Sequence, residues 1–266
     1  MARRYSVQRQ RGFTLIALFC FVLLYLPMVT LVAYAFNAGI STSNWEGVSL
    51  RWFHAAAANE RIIDATLRSL TIAPIAGLIA TVAATMAALA TTRTAPYPGL
   101  TFKYAFINQP LMVPEIVTAV ALLVVFSQVK VWTGYSGLGY LIAAHTAFCI
   151  PFAYLPIKAR LETMDLTLER AAADLYARPW MVFRRVTLPL LWPGILAGFM
   201  LAFVVSLDDV VITEFVKSAG QETLPTYMLG QLRRQATPEM NAISTVFLGL
   251  SIAVVTLFFF LSRRKD

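Results

Sequence analysis

Residues 13–36 read F-T-L-I-A-L-F-C-F-V-L-L-Y-L-P-M-V-T-L-V-A-Y-A-F, a continuous apolar run without a charged side chain. A helix needs about 20 such residues to cross the hydrocarbon core of a membrane. Lipid offers the backbone no hydrogen-bond partners, so a crossing segment of this kind is helical. The run is longer than the apolar region of a secretory signal, and no small-residue cleavage site follows it. We therefore expect a retained first span.

The same apolar pattern recurs along the chain. Five further stretches qualify as spans, at residues 67–91, 104–127, 136–158, 191–213 and 241–262. Hydrophobic residues make up 58% of the 266 residues and charged residues only 14%, well below the charged share of a soluble domain. The sequence predicts an all-α integral membrane protein with six transmembrane helices over residues 13–262, flanked by short segments at 1–12 and 263–266.

Basic residues are distributed unevenly between the two sides of this arrangement. If the N-terminus is cytoplasmic, fifteen of the 22 lysines and arginines fall in cytoplasmic segments and seven in external ones. The positive-inside rule then predicts that both termini are cytoplasmic, in a bacterial-type inner membrane. Because the basic residues lie between apolar runs, the net charge of +8 does not indicate a nucleic-acid-binding surface.

The most informative polar segment is the cytoplasmic loop at 159–190, between the fourth and fifth spans. Thr167 is expected to cap a helix that runs to Leu175. Arg178-Pro179 is expected to begin a second helix, because proline is favoured at the first helical position, and Leu188-Pro189 is expected to end it. On composition alone, this helix-turn-helix fits docking to a protein as well as it fits lying on anionic lipid.

Residues 170–189, R-A-A-A-D-L-Y-A-R-P-W-M-V-F-R-R-V-T-L-P, resemble a known loop signature. It is the E-A-A-x3-G-x9-I-x-L-P pattern of permease subunits of binding-protein-dependent ABC importers. Arg170 stands in the glutamate position, with Glu169 one residue early, and Tyr176 stands in the glycine position. Glycine is used where φ is positive, so we expect either a turn without a positive φ or a different docking geometry. The resemblance implies an ATPase-coupling loop containing Glu169, Arg170, Ala171, Ala172, Asp174, Tyr176, Val186, Leu188 and Pro189.

The rest of the chain resembles the second permease subunit of spermidine/putrescine-type importers. The similar stretches include Tyr25-Leu26-Pro27, Val113-Pro114-Glu115-Ile116, His145-Thr146-Ala147-Phe148-Cys149 and Ser206-Leu207-Asp208-Asp209-Val210-Val211. This resemblance implies the type I ABC importer permease fold, with a coupling helix in the loop between helices 4 and 5. It further implies a second permease subunit, two ATPase subunits and a periplasmic substrate-binding protein as partners.

The resemblance also implies a transport subunit rather than an enzyme. The sequence contains no Walker motif, so ATP and Mg²⁺ are expected on the partner ATPase. This chain is expected to bind no cofactor or metal itself, to contain no catalytic residue and to bind no nucleic acid.

Charged residues within spans are costly and are therefore the default candidates for function. The predicted spans contain three carboxylates, those of Glu115, Asp208 and Asp209, and ionised carboxylates suit a passing polyamine cation because they only accept hydrogen bonds. Alternatively, the two aspartates pair with Arg68 or cap a broken helix. His145 is the fourth substrate-pathway candidate, although a buried histidine is more often a hydrogen-bonded packing residue.

The function predicted from these features is import of a polyamine such as spermidine or putrescine, or of a similar small organic cation. Opines, 4-aminobutyrate and aminoalkylphosphonates are alternative substrates within the family, and the sequence leaves open whether the two permeases are identical. An ATPase-independent secondary carrier or channel is the alternative class. Broken helices at corresponding positions of two halves would favour a carrier, and the sequence contains no convincing internal repeat.

Overall fold

The computed structural model describes residues 11–41, 44–94, 97–234 and 237–263. Within these ranges the chain forms twelve α-helices and one π-helical segment. In order, they are α1 (Arg11–Ala35), α2 (Arg51–Ala58), α3 (Glu60–Thr92), α4 (Leu100–Met112), α5 (Glu115–Thr133), α6 (Gly139–Thr163), α7 (Thr167–Asp174), α8 (Pro179–Val182), the π-helix Phe183–Thr187, α9 (Leu188–Asp208), α10 (Val211–Val216), α11 (Leu224–Leu232) and α12 (Pro238–Arg263). The basic residues predicted on the cytoplasmic side at 3, 4, 9, 264 and 265 lie outside the described residues.

Six helical segments of the described chain are long and apolar enough to cross a membrane. They are Gly12–Ala35, Glu60–Thr92, Glu115–Thr133, Gly139–Thr163, Pro179–Asp208 and Pro238–Phe258. The predicted fold class, an all-α membrane protein with six transmembrane helices, is confirmed.

The third span differs from the single helix predicted over 104–127. The structure has two helices there, α4 and α5, separated at Val113-Pro114. Proline has no amide hydrogen to donate and forces the preceding residue out of the helical region. Val113 accordingly adopts an extended conformation, with φ −102° and ψ 141°. The chain resumes its helix at Glu115, immediately after the proline.

The fifth span is also interrupted, whereas the sequence predicted one helix over 191–213. Helix α9 ends at Asp208, Asp209 is extended with ψ 131°, and α10 begins at Val211. The assumption that Asp208 and Asp209 lie on one continuous helix is therefore wrong.

The loop between the fourth and fifth spans contains a short helix, α7, as predicted, but its start differs in detail. Thr167 is the first helical residue rather than the cap. The Asp165 carboxylate accepts a hydrogen bond from the Thr167 amide at 2.9 Å, which lowers the pKa of this exposed carboxyl group. The side chain that stabilises the helix start thus lies two residues earlier than predicted.

The expectation that Leu188-Pro189 ends the second loop helix is wrong. Helix α8 continues through the π-helix Phe183–Thr187 directly into α9. Pro189 lies in the first turn of α9. The π-helix immediately before it has a wider hydrogen-bonding pattern, so the helix does not need the amide hydrogen that proline lacks. As a result, the loop is joined to the fifth span by unbroken helix.

The chain forms two compact units, one from the described residues of 1–60 and 230–250 and the other from those of 61–229 and 251–263. In the second unit, α6 and α9 pack closely because Gly194 and Gly198 face α6. A Cβ atom at Gly198 would lie 2.7 Å from the Ala153 carbonyl oxygen, and one at Gly194 would lie 2.6 Å from Arg160 Cβ. This G-x-x-x-G spacing brings two membrane helices into backbone contact.

Candidate functional site

The two interrupted spans meet in the second unit. Helix α10 packs against α5 and α6, and Glu115 is the first residue of α5 while Asp209 lies two residues before the start of α10. Irregular backbone at membrane depth is tolerated where it is buried in protein or lines a cavity. We define the break site as Glu115, His145, Ser206, Asp208, Asp209 and Thr213.

Asp209 is buried and stabilises the start of α10. Its Oδ1 accepts the Ile212 amide at 3.2 Å, and its Oδ2 accepts both the amide and the hydroxyl of Thr213 at 2.9 Å. The first amides of a helix have no partner within the helix, and a carboxylate there also interacts favourably with the helix dipole. Asp209 therefore caps a broken helix, which is one of the two alternatives drawn from the sequence.

Both ring nitrogens of His145 are occupied within the break site. Nδ1 lies 2.8 Å from Ser206 Oγ, and Nε2 lies 2.9 Å from Thr213 Oγ1 and 3.4 Å from Asp209 Oδ2. Because the Thr213 hydroxyl proton is donated to Asp209, Nε2 must carry the hydrogen that Thr213 accepts. His145 thus joins α6 to α9 and α10.

Ser206 and Thr213 are residues that the sequence analysis missed. They lie three residues before and four residues after Asp209. This helical spacing indicates that the three polar side chains share one face, and it could have identified both residues. Each provides a hydroxyl group to one ring nitrogen of His145.

Asp208 differs from the buried Asp209 in its exposure and in its lack of partners within the described chain. It is the last residue of α9 and is exposed, and the described residues provide its carboxylate with no hydrogen bond or ion pair. Arg68, considered above as a partner for the aspartates, pairs instead with Asp64 at 3.3 Å. Of the two neighbouring aspartates, Asp208 is therefore the one whose carboxylate has no partner among the described residues.

The turn after α7 has the left-handed backbone conformation for which the family uses glycine, although this chain has Tyr176 at that position. The Ala177 amide donates to Ala172 O at 3.2 Å and the Tyr176 amide to Ala173 O at 2.9 Å. These are the two hydrogen bonds of a Schellman motif, in which the penultimate residue is left-handed. Tyr176 has φ +60°, a conformation that costs a non-glycine residue roughly 1–2 kcal/mol. Of the two expectations for this turn, the one without a positive φ is wrong.

Glu169 connects the coupling loop to the ends of several helices. Its Oε2 lies 3.3 Å from Arg93 Nε, and its Oε1 accepts hydrogen bonds from Arg93 Nη2 at 3.3 Å and from the Thr187 hydroxyl at 2.9 Å. Arg93 Nη1 also donates to the Leu161 carbonyl oxygen at 3.2 Å. Glu169, Arg93, Thr187 and Leu161 thus tie α7 to the region following α3, to α6 and to the π-helix. We call this set the loop clamp.

The other predicted loop residues fall into two groups. Arg170, Ala171, Asp174 and Pro189 are exposed, and Ala172, Val186 and Leu188 are half-buried. The sequence analysis did not single out Arg93 and Thr187, which complete the clamp. Only the spatial meeting of the region following α3 with α7 reveals their role.

Residues 101–264 match the family described as binding-protein-dependent transport system inner membrane component. The chain belongs to this family. It is accordingly a multi-pass inner membrane permease of an ABC importer, and it serves as a transport subunit in a system that uses a binding protein.

Curated permeases are similar over nearly the whole chain. The putrescine transport system permease PotI of Escherichia coli strain K12 is 35% identical over 254 residues, covering 94% of this chain and 90% of the relative. The spermidine/putrescine permease PotC of Haemophilus influenzae is 34% identical over 243 residues, covering 91% and 93%. PotC of E. coli K12 is 31% identical over 255 residues, covering 96% and 94%.

Solved structures confirm the fold at lower sequence identity. A chain of a bacterial ABC transporter involved in importing the acidic polysaccharide alginate superposes with a TM-score of 0.73 at 17% identity, covering 95% of this permease and 94% of that chain. A chain of the MetNI methionine ABC transporter in an inward-facing conformation gives a TM-score of 0.66 at 17% identity, covering 77% and 95%. The type I ABC importer permease fold is thus confirmed.

Proposed function

We propose that this permease forms one half of an ATP-driven pathway that imports a polyamine of the putrescine and spermidine class. The observation that carries the proposal is sequence identity of about one third, over nearly the full length, to permeases named for putrescine and spermidine/putrescine transport.

The chemistry of the break site supports a cationic substrate. Ionised carboxylates only accept hydrogen bonds, so the three carboxylates of Glu115, Asp208 and Asp209 in one region favour a proton or a cation nearby. No lysine or arginine of the described residues forms an ion pair with Glu115, Asp208 or Asp209. A substrate that carries an anionic group as well, such as an opine or 4-aminobutyrate, would find no such basic partner there.

We propose that Asp208 contacts the substrate and that Asp209 positions α10. The exposed Asp208 carboxylate can bind an ammonium group, whereas the Asp209 oxygens are already committed to Ile212 and Thr213. Glu115 and His145 stay candidates for the pathway, with Glu115 the better placed because its carboxyl group is only half-buried.

The proposed assembly contains a second, non-identical permease, two ATPase subunits that bind ATP and Mg²⁺, and a periplasmic binding protein. Closure of the ATPases would move α7, and the loop clamp would transmit that motion to α6 and to the region following α3. The unbroken helix from α8 to α9 would carry the same motion into the fifth span. Tilting of these packed helices would then alternate the access of the pathway.

We further propose that both termini are cytoplasmic. This orientation would put the coupling loop on the side of the ATPases. Its support is the excess of lysine and arginine in the segments assigned to the cytoplasm.

Uptake of labelled putrescine and spermidine by the complete reconstituted importer tests the substrate. Asp208→Asn should reduce uptake about fivefold to tenfold, because it removes one charge from an exposed site, while the amount of assembled complex stays constant. Unlabelled competitors should inhibit this uptake more strongly as the number of their ammonium groups increases. Unchanged uptake by the variant, or equal competition by 4-aminobutyrate, would contradict the assignment.

An ATPase-independent carrier is tested by the same vesicles without the ATPase subunits. The breaks that could suggest a carrier lie in the third and fifth spans, which are not corresponding positions in two three-span halves. Transport is therefore expected to require ATP and the ATPase. Substrate accumulation without either one would replace the importer proposal with the carrier.

A further inference from the structure

Tyr176 is the one non-glycine residue with positive φ among the described residues. The backbone around it makes both hydrogen bonds of the Schellman motif, so the turn keeps a conformation that would suit glycine better. Strained backbone of this kind persists at functional sites, and the sound inference runs from the observed outlier to a function. The question is what the tyrosine side chain contributes at this position.

The Tyr176 side chain does not stabilise the fold. The residue is 98% exposed, and the described residues provide its ring with no hydrogen bond or aromatic contact. The strain therefore has no compensating hydrogen bond or aromatic contact from the described residues. A glycine would satisfy the same backbone without strain.

Two more large apolar side chains are exposed next to Tyr176. Leu175 is 82% exposed and Trp180 is 69% exposed, and both flank the turn between α7 and α8. We define Leu175, Tyr176 and Trp180 as the loop tip. Tyrosine and tryptophan dominate the binding energy of protein interfaces, because they bury a large area at a low cost in conformational entropy.

We propose that Tyr176 is a specificity-determining contact that inserts its ring into an apolar pocket on the ATPase subunit. This inference rests on the proposed function, because it assumes that the coupling loop docks on an ATPase. Helix α7 of the coupling loop ends directly before the loop tip. Because the coupling loop is proposed to dock on the ATPase, we assign the loop tip a protein partner. An ATPase matched to a glycine-bearing loop has no need for such a pocket and should exclude this permease.

The decisive variant is Tyr176→Gly, because its two effects have opposite signs. It removes the strain, so the thermal stability of the isolated permease pair should stay equal or increase. It also removes the ring, so the affinity of the complete permease pair for its cognate ATPase should fall at least tenfold. Tyr176→Phe keeps the ring and should bind as the parent protein does. Tyr176→Asn tolerates a left-handed backbone but lacks the ring, and should lose as much affinity as the glycine variant.

Three further measurements separate the possible outcomes. Ala172→Glu places a bulky charge on α7 and should abolish docking, and an intact complex with that variant would overturn the docking proposal itself. If Ala172→Glu abolishes docking but Tyr176→Gly binds normally, only the specificity inference fails. The loss of ATPase affinity in Tyr176→Gly should appear in detergent without anionic lipid. A loss seen only in nanodiscs that contain anionic lipid would mean that the Tyr176 ring contacts lipid instead of the ATPase. An ATPase from a glycine-bearing system should bind Tyr176→Gly more tightly than the parent, and equal affinities would also overturn the inference.

Discussion

The break site and the loop tip are built in opposite ways. At the break site, four polar residues are buried and hydrogen-bonded to one another: His145, Ser206, Asp209 and Thr213. At the loop tip, the large side chains of Leu175, Tyr176 and Trp180 are exposed, and Tyr176 has no ring contact or hydrogen bond among the described residues. A paired polar site inside a membrane holds an irregular backbone together, whereas an exposed aromatic group on a strained turn points to a partner outside the chain. One region thus stabilises this permease, and we propose that the other binds the ATPase subunit.

The largest effect is expected where the pairing is most complete, at Asp209. Asp209→Ala leaves the Ile212 and Thr213 amides and the Thr213 hydroxyl without an acceptor, and each unsatisfied buried group costs about 1–3 kcal/mol. We expect loss of most of the folded, monodisperse permease, measured by size-exclusion chromatography in detergent.

The adjacent residue is the matched control for this prediction. Asp208→Ala removes the same carboxylate one position earlier, where no hydrogen bond is lost, so the yield of folded permease should be unchanged. Equal loss of folded protein in both variants would show that the two aspartates are not structurally distinct.

The charge pair of the loop clamp is expected to have an intermediate effect, seen in coupling rather than in folding. Arg93→Glu and Glu169→Arg each replace an ion pair of 3.3 Å with two like charges and should reduce ATP hydrolysis stimulated by the loaded binding protein about tenfold. The double variant exchanges the two charges and should recover much of that activity. Each side chain of the pair is only 19% exposed, so like charges there also cost stability, and hydrolysis is compared at equal amounts of assembled complex.

An exposed pair in α3 controls for the exchange of charges. Arg68 and Asp64 also lie 3.3 Å apart but connect residues of one helix only. Their exchange should leave stimulated hydrolysis unchanged. Failure of the clamp's double variant to recover would mean that Glu169 acts through a direct contact with the ATPase instead.

The sequence predicted the spans well but not their interruptions. Lipid requires long apolar helices, so composition alone locates six of them. Pro114 signalled a kink or a break without deciding between them, because prolines are tolerated in membrane helices when neighbours satisfy the freed groups. The spacing of Ser206 and Thr213 indicates which face Asp209 shares with other polar residues, but it does not show that Asp209 is buried while Asp208 is exposed. That difference depends on His145 and on α5, which are distant in sequence.

The coupling loop was more predictable, because its key features are local. The Schellman turn after α7 requires only the residues from Ala172 to Ala177, and the family's spacing identified its position. The loop clamp was not predictable, since Arg93 and Glu169 are 76 residues apart. The carboxylates and histidine proposed for the substrate pathway stay predictions, because their contact with a substrate has not been tested.

The smallest effect is expected from Ser206→Ala, which asks whether the break site is one cooperative network or a sum of separate bonds. The variant removes a single hydroxyl group from His145 Nδ1 and leaves the Asp209 bonds to α10 in place. A single hydrogen bond contributes about 1 kcal/mol, and thermal unfolding should shift by about 2–4 °C. Uptake should be nearly normal, because α10 keeps its start. If Ser206→Ala is as damaging as Asp209→Ala, the histidine holds the break together rather than the aspartate, and the contrast between neighbouring aspartates has to be traced to His145.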